Sequence, residues 1–171
     1  KDLMEKTGCE ITEKSLRESI GIYNQHTKVM NEFVVVANEH LDIISPVVRH
    51  EIMKSAHFLE KKEHTEMMSE LLKALEFLPK HQWKGKKIIL SGILAEPVEF
   101  LNIFVENKIA VVGDDLAQES QQYRTLIPLD TDPYASLAQQ WLNRKGSSTI
   151  HEDKSSRADI IIDMAQKTGA D

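Results

Sequence analysis

The chain has 171 residues, 41% of them hydrophobic and 28% charged, and carries a net charge of −6. This is the composition of a soluble globular protein with enough interior for a real core, and its acidity argues against broad binding to nucleic-acid phosphates. No apolar run approaches the roughly 20 residues needed to span a bilayer, and the single cysteine, Cys9, excludes an internal disulfide and fits a reducing cytoplasm.

The opening residues, Lys1-Asp2-Leu3-Met4, form neither an initiator start nor a signal segment, so the sequence reads as an internal piece or a processed chain. Residues 1–10 are short and polar, a loop or a loosely docked helix end. Thr12 is placed to cap a helix running to about His40, with Leu16, Ile20, Tyr23, Met30, Val34 and Ala37 at spacings of three, four and seven. Ser45-Pro46 restarts the chain as a cap followed by proline in the first turn, and Val47, Ile52, Met53 and Ala56 continue the period. A third helix covers Lys61 to Leu78, with Met68, Leu71, Leu72 and Leu75 as a core-facing stripe, and Pro79 stops it.

From Trp83 the pattern changes. Ile88-Ile89-Leu90 is a continuous apolar run that stops at Ser91-Gly92, and Pro97 fits the first turn of a helix that ends near Asn107. A second run, Ile109 to Val112, stops at Gly113-Asp114-Asp115. Two buried runs joined by a helical connection predict parallel strands. Leu116 to Tyr123 is expected as a short helix, and Asp132-Pro133 caps another that runs through Trp141 and Leu142 and closes at Gly146. Ser147 to Glu152 is a loop or edge strand. The last helix, about Ser155 to Thr168, ends at Gly169 in a layout that should feed a further strand. The expected fold is α/β, with a helical segment over residues 1–82. A partial α/β domain follows over 83–171, its parallel sheet incomplete, Rossmann- or flavodoxin-like, and flanked by helices.

In such sheets the ligand crevice lies outside the carboxyl ends of the strands, which makes Ser91, Gly92, Asp114, Asp115 and Arg124 the candidate binding residues. Arg124 matches either a phosphate or the neighbouring Asp115, the ion pair being favoured. Asp114 and Asp115 either bind a cation or simply cap the next helix. His50, His57 and His64 recur every seven residues, two turns or about 10.5 Å, too far apart to share one ion along a helix, so they read as solvated. Trp83 and Trp141 are read as packing anchors. No catalytic or metal-ligating set is assigned, and no nucleotide-binding fingerprint follows either strand.

Several of these stretches resemble the 2-hydroxyacyl-CoA dehydratase and benzoyl-CoA reductase family, specifically its dehydratase subunits. They are Lys87-Ile88-Ile89-Leu90-Ser91-Gly92, Val111 to Ser120 with Tyr123-Arg124, Asp132 to Ala138, and Arg157 to Asp163, with Lys6-Thr7-Gly8 and Tyr23-Asn24 upstream. The resemblance implies a subunit of an oxygen-sensitive cytoplasmic enzyme that works with a paralogous subunit and an ATP-dependent activator protein. It also implies cysteine-ligated [4Fe-4S] clusters and radical removal of water from an (R)-2-hydroxyacyl-CoA. The cluster ligands would lie outside this stretch, since Cys9 matches none of the family's cysteine motifs, and the piece alone is expected to be inactive. The competing readings are an α/β module that binds a small ligand or Mg²⁺ through Asp114 and Asp115, and a purely structural segment for subunit contact.

Overall fold

The computed structural model describes residues 2–129, 132–146 and 156–171. Four helices, α1 (Asp2–Thr7), α2 (Glu13–Ala37), α3 (Pro46–Ser55) and α4 (Lys61–Glu76), precede β1 (Lys86–Gly92), α5 (Val98–Glu106) and β2 (Ile109–Leu116). A 3₁₀ turn at Ser120–Gln122 then leads to α6 (Pro133–Asn143) and α7 (Arg157–Thr168). The expected α/β class is what is found: a helical N-terminal segment, then a two-stranded parallel sheet with flanking helices. The stretch Ser147 to Glu152, expected as a loop or edge strand, lies outside the described residues.

Local chemistry explains the helix starts. The Thr12 hydroxyl accepts from Ser15 N–H at 3.1 Å while Ser15 Oγ accepts from Thr12 N–H at 3.0 Å, a reciprocal cap that satisfies two otherwise orphaned donors. Ser45 caps α3 ahead of Pro46, and the Asp132 carboxylate accepts from the amides of Tyr134 and Ala135 at the start of α6. Gly169 closes α7 in the left-handed conformation at φ 66°, which glycine adopts without a Cβ clash. Beyond it, Asp171 N–H donates to Lys87 carbonyl oxygen and Lys87 N–H donates to the Asp171 carboxylate, both at 2.9 Å, so the chain arrives beside β1.

The main core joins α2, α3 and α4 through Met30, Phe33, Ala37, Met53, Ala56, Met68, Leu72 and Leu75, with Tyr123 closing it from the loop after β2. A second cluster gathers Leu41, Ala110 and Val112 under half-buried Trp83, and a third joins Ala95, Leu101 and Leu116. Trp83 is thus the packing anchor expected of it. Trp141 is not: it is 56% exposed, and the guanidinium of Arg144 lies over its ring at 4.2 Å from the centroid.

The two strands do not end where the apolar runs do. β2 continues through Gly113, Asp114 and Asp115 to Leu116 with all but its first residue buried. The register slips between Ile88 and Ile89, so Val112 has no partner across the pair, and Leu90 then faces Asp114 and Ser91 faces Asp115. Gly113 lies inside the strand because α7 crosses there: a Cβ would sit 2.4 Å from Met164 Sδ. The helix expected over Leu116 to Tyr123 shrinks to the 3₁₀ turn. Asp114 Oδ1 takes the amides of Leu116 and Ser120, so these N–H groups are bound to a side chain in place of a helical ladder.

One row of side chains on α2 escaped the apolar pattern. Asn24, Asn31 and Asn38 recur every seven residues, and each donates its amide to a main-chain carbonyl: to Ile127 at 2.8 Å, Tyr123 at 2.9 Å and Val112 at 2.8 Å. Asn24 also accepts from Ile127 N–H at 2.9 Å. Asn38 therefore takes the carbonyl of the bulge residue, and the row pins the chain between the end of β2 and α6. Replacing Asn24 by Ala leaves a buried N–H and C=O of Ile127 unpaired and is expected to cost about 2 kcal/mol, read as a lower urea midpoint with unchanged m.

Candidate functional site

Successive residues of a strand point to opposite faces, and at the carboxyl end of β2 this separates two buried carboxylates. Asp114, 1% exposed, faces α3. Its Oδ2 pairs with Arg49 Nη2 at 3.0 Å, and its Oδ1 takes the two amides already described. Asp115, fully buried, faces α7: its Oδ1 pairs with Arg124 Nη2 at 2.7 Å and its Oδ2 with Arg157 Nε at 2.6 Å. Ser91 Oγ donates to Asp115 Oδ2 at 3.2 Å and accepts from Arg157 Nη2 at 3.0 Å, and Gln121 Nε2 donates to Oδ1 at 3.1 Å. Burial pushes the Asp115 carboxyl up, but hydrogen bonds from Arg157 and Arg124, backed by their charges, outweigh it and hold the group below the usual carboxylate range.

The structure therefore brings Ser91, Asp115 and Arg124 into one network, with Asp114 beside it. Gly92 lies at the same strand end opposite Leu116, where an added Cβ would meet only Leu116 Cδ2 at 3.8 Å. Ser91 is exposed and Arg124 half-buried, so these two, with Arg157, form the accessible edge, and the carboxylates lie behind them. Both Asp115 oxygens already accept from guanidinium groups, and so does one of Asp114. A Mg²⁺ ion would have to displace those arginines.

A second polar cluster continues the rim. His50 Nδ1 meets Glu119 Oε1 at 2.7 Å and its Nε2 meets Glu96 Oε1 at 3.1 Å, while Lys54 also pairs with Glu96. Burial, then the charge of Asp114, raises the Glu119 carboxyl against the opposing pull of His50 and Arg49. Hydrogen bonds from Lys54 and His50 hold Glu96 below its ordinary range.

The histidines read as solvated prove otherwise in two of three cases. His57 is exposed, with Nε2 on the Gln118 carbonyl at 2.8 Å, but His50 and His64 are buried. His64 Nε2 meets Ser55 Oγ at 2.8 Å, and its Nδ1 meets Nε2 of a fourth histidine, His26, at 2.8 Å. Ser55 donates its own proton to Ile52 carbonyl oxygen. That fixes the tautomers: His64 carries its proton on Nε2, and His26 donates from Nε2. Among the described residues, no group of three or more His, Cys, Asp or Glu side chains is placed to hold a metal ion.

Four of these residues, Arg49, Arg157, Glu119 and His26, were not singled out from the sequence as site candidates. For two the signal was present. Arg49 precedes Met53 and Ala56 at helical spacing, and His26 precedes Met30, Phe33 and Ala37 on the buried stripe of α2. A polar residue in phase with an apolar stripe is a buried polar residue and must find a partner.

Two outcomes follow. Arg49→Ala leaves Asp114 charged and unpaired in the interior and is expected to cost about 3–5 kcal/mol in chemical unfolding. Burial, then the charges of Lys61, His64 and His57, lower His26 from 6.5 to about 4. Between those values the unfolded chain binds the extra proton, so stability falls as pH drops from about 6.5 to 4. His26→Gln should flatten urea midpoints measured across that window, and an unchanged slope would refute the assignment.

Comparison with known proteins supplies the family. The family model described as 2-hydroxyglutaryl-CoA dehydratase, D-component, matches residues 1–171. The chain is 42% identical over 165 residues to the (R)-phenyllactyl-CoA dehydratase beta subunit of Clostridium sporogenes, covering 96% of this chain and 44% of that protein. It is 40% identical over 165 residues to lactoyl-CoA dehydratase subunit beta of Anaerotignum propionicum, with the same coverage. It is also 32% identical over 173 residues to (R)-2-hydroxyglutaryl-CoA dehydratase subunit beta of Acidaminococcus fermentans, covering 99% of this chain and 46% of that protein. The chain spans less than half the length of these relatives. Matched from its first residue to its last, it belongs to the 2-hydroxyglutaryl-CoA dehydratase D-component family.

Proposed function

We propose that this chain forms part of the beta-type subunit of an iron–sulfur (R)-2-hydroxyacyl-CoA dehydratase, a lyase that removes water from its thioester substrate to give an enoyl-CoA. The supporting observation is the whole-chain family match, shared with relatives named for three different 2-hydroxyacyl thioesters. In this reading the enzyme pairs the subunit with a paralogous one in the cytoplasm, and an ATP-dependent activator protein starts the radical reaction.

The residues present do not fit the cluster itself. A [4Fe-4S] centre takes four thiolates, and this chain offers only Cys9, exposed in the loop between α1 and α2. Its ligands are therefore assigned to the rest of the subunit, and no chemical step is derived through it here.

What this stretch contributes is a rigid binding edge. Asp115 holds Arg124 and Arg157 in place, and Ser91 and Gly92 present the end of the neighbouring strand. Arg124 also lines a small hollow of about 100 Å³ with Arg144 and Lys145, in which no lining residue among the described ones is acidic. Its Nη1 is buried without a hydrogen-bond partner among the described residues. With its Nη2 on Asp115 and its Nη1 unpaired among the described residues, Arg124 adds to Arg144 and Lys145 a cationic edge that suits the phosphates of coenzyme A.

The test uses the whole subunit assembled with its partner and activator. Arg124→Ala should lower kcat/KM for a 2-hydroxyacyl-CoA by about tenfold or more, chiefly through KM. If the assembled wild-type enzyme dehydrates no 2-hydroxyacyl-CoA, the reading fails.

A further inference from the structure

Tyr123 lines a hollow of about 510 Å³ between α2, the start of α4 and α6. It is the size of pockets that enclose small organic ligands. Leu16, Ile20, Ile127 and Leu137 supply apolar surface, and among the described residues none that lines it is Asp or Glu. Two are permanent or near-permanent cations, Lys61 and Arg144. In a chain of net charge −6, an acid-free hollow with two cations is a marked local reversal of sign.

Neither cation is neutralised within the described residues. Lys61 donates to the Ala56 carbonyl at the end of α3 and makes no ion pair. Arg144 stacks on Trp141 and makes none either. The relay from His26 through His64 to Ser55 adds no negative charge, because every member is neutral in the tautomers fixed above. Tyr123 also stays neutral, since burial and the nearby carboxylates Glu119 and Asp114 push its hydroxyl up to about 12. The result is a wall of hydrogen-bond donors and uncompensated positive charge facing an apolar floor.

We propose that this hollow binds a small organic carboxylate with an apolar tail, its carboxylate set between Lys61 and Arg144 and its tail on Leu16, Ile20, Ile127 and Leu137. Burial first and the charge of Lys61 second depress His26 and His64, and the second is the part such an anion would offset. The inference does not depend on the dehydratase reading. The site lacks the three-cation set assigned to coenzyme A, sharing only Arg144 and Gln122 with that smaller hollow.

Titration of the full chain with hexanoate, followed by the imidazole NMR signals of His26, tests this directly. At neutral pH, where it is ionised, hexanoate should bind saturably with Kd below about 1 mM and shift these signals, and hexylamine should do neither. Arg144→Gln and Lys61→Met should each weaken binding by about tenfold. Leu137→Trp, which fills the hollow without touching a charge, should abolish it and so guards against a Lys61 variant that loses its helix-end contact. No saturable shift with hexanoate, an equal shift with inorganic phosphate, or wild-type affinity in Leu137→Trp would overturn the proposal.

Discussion

Two carboxylates sit side by side inside this protein, and everything around the strand ends is arranged to keep them charged. An isolated ionised carboxylate in a protein interior is costly by several kcal/mol, and the cost is met only by close partners with good geometry. Here α3 delivers Arg49 to Asp114, and α7 and the loop after β2 deliver Arg157 and Arg124 to Asp115. Arg49–Asp114 ties the helical half to the α/β half, while the two pairs at Asp115 tie α7 and the loop after β2 to the strand end. Arg49 keeps two buried nitrogens without partners among the described residues. A guanidinium held by one carboxylate alone is fixed in position more than it is satisfied, as befits a group whose task is to anchor a helix.

This explains why the carboxylates of a rim with the acidic signature of a cation site are taken up by arginines. Adjacent aspartates at the end of a buried strand are what a Mg²⁺ site and a structural ion-pair cluster both look like in one dimension. Which of the two is built depends, beyond nearby Arg124, on Arg49 and Arg157, 65 and 42 positions away in sequence, that the fold brings within reach. The accessible chemistry of the edge is cationic and hydroxylic, the inverse of what its most conspicuous residues suggest.

The helices and strands were legible because their signals are local. The caps at Thr12, Ser45 and Asp132, the proline after two of them and the glycine after Thr168 are each read within four residues. The ends of β2 were not, because a strand's last residues are set by what covers them, and α7 covers Gly113 from fifty positions downstream. The site was half legible on the same grounds. Ser91, Asp115 and Arg124 follow from where the strands stop, whereas Arg49 and His26 needed the apolar stripe to be read for its exceptions. Arg157 and Glu119 carried no local mark of their role.

The asparagine row on α2 has a consequence for how the rim is held in place. Its three amides grip carbonyl oxygens, groups that every residue type possesses, so they register the course of the chain from 112 to 127 and ignore its side chains. The row works as a ruler laid against the backbone, graduated in steps of two helical turns. The side chains between its marks are set by other contacts, Gly113 by the helix packed on it and Asp114 and Asp115 by their arginines. The row holds the path of the chain, and the residues along that path are held one by one.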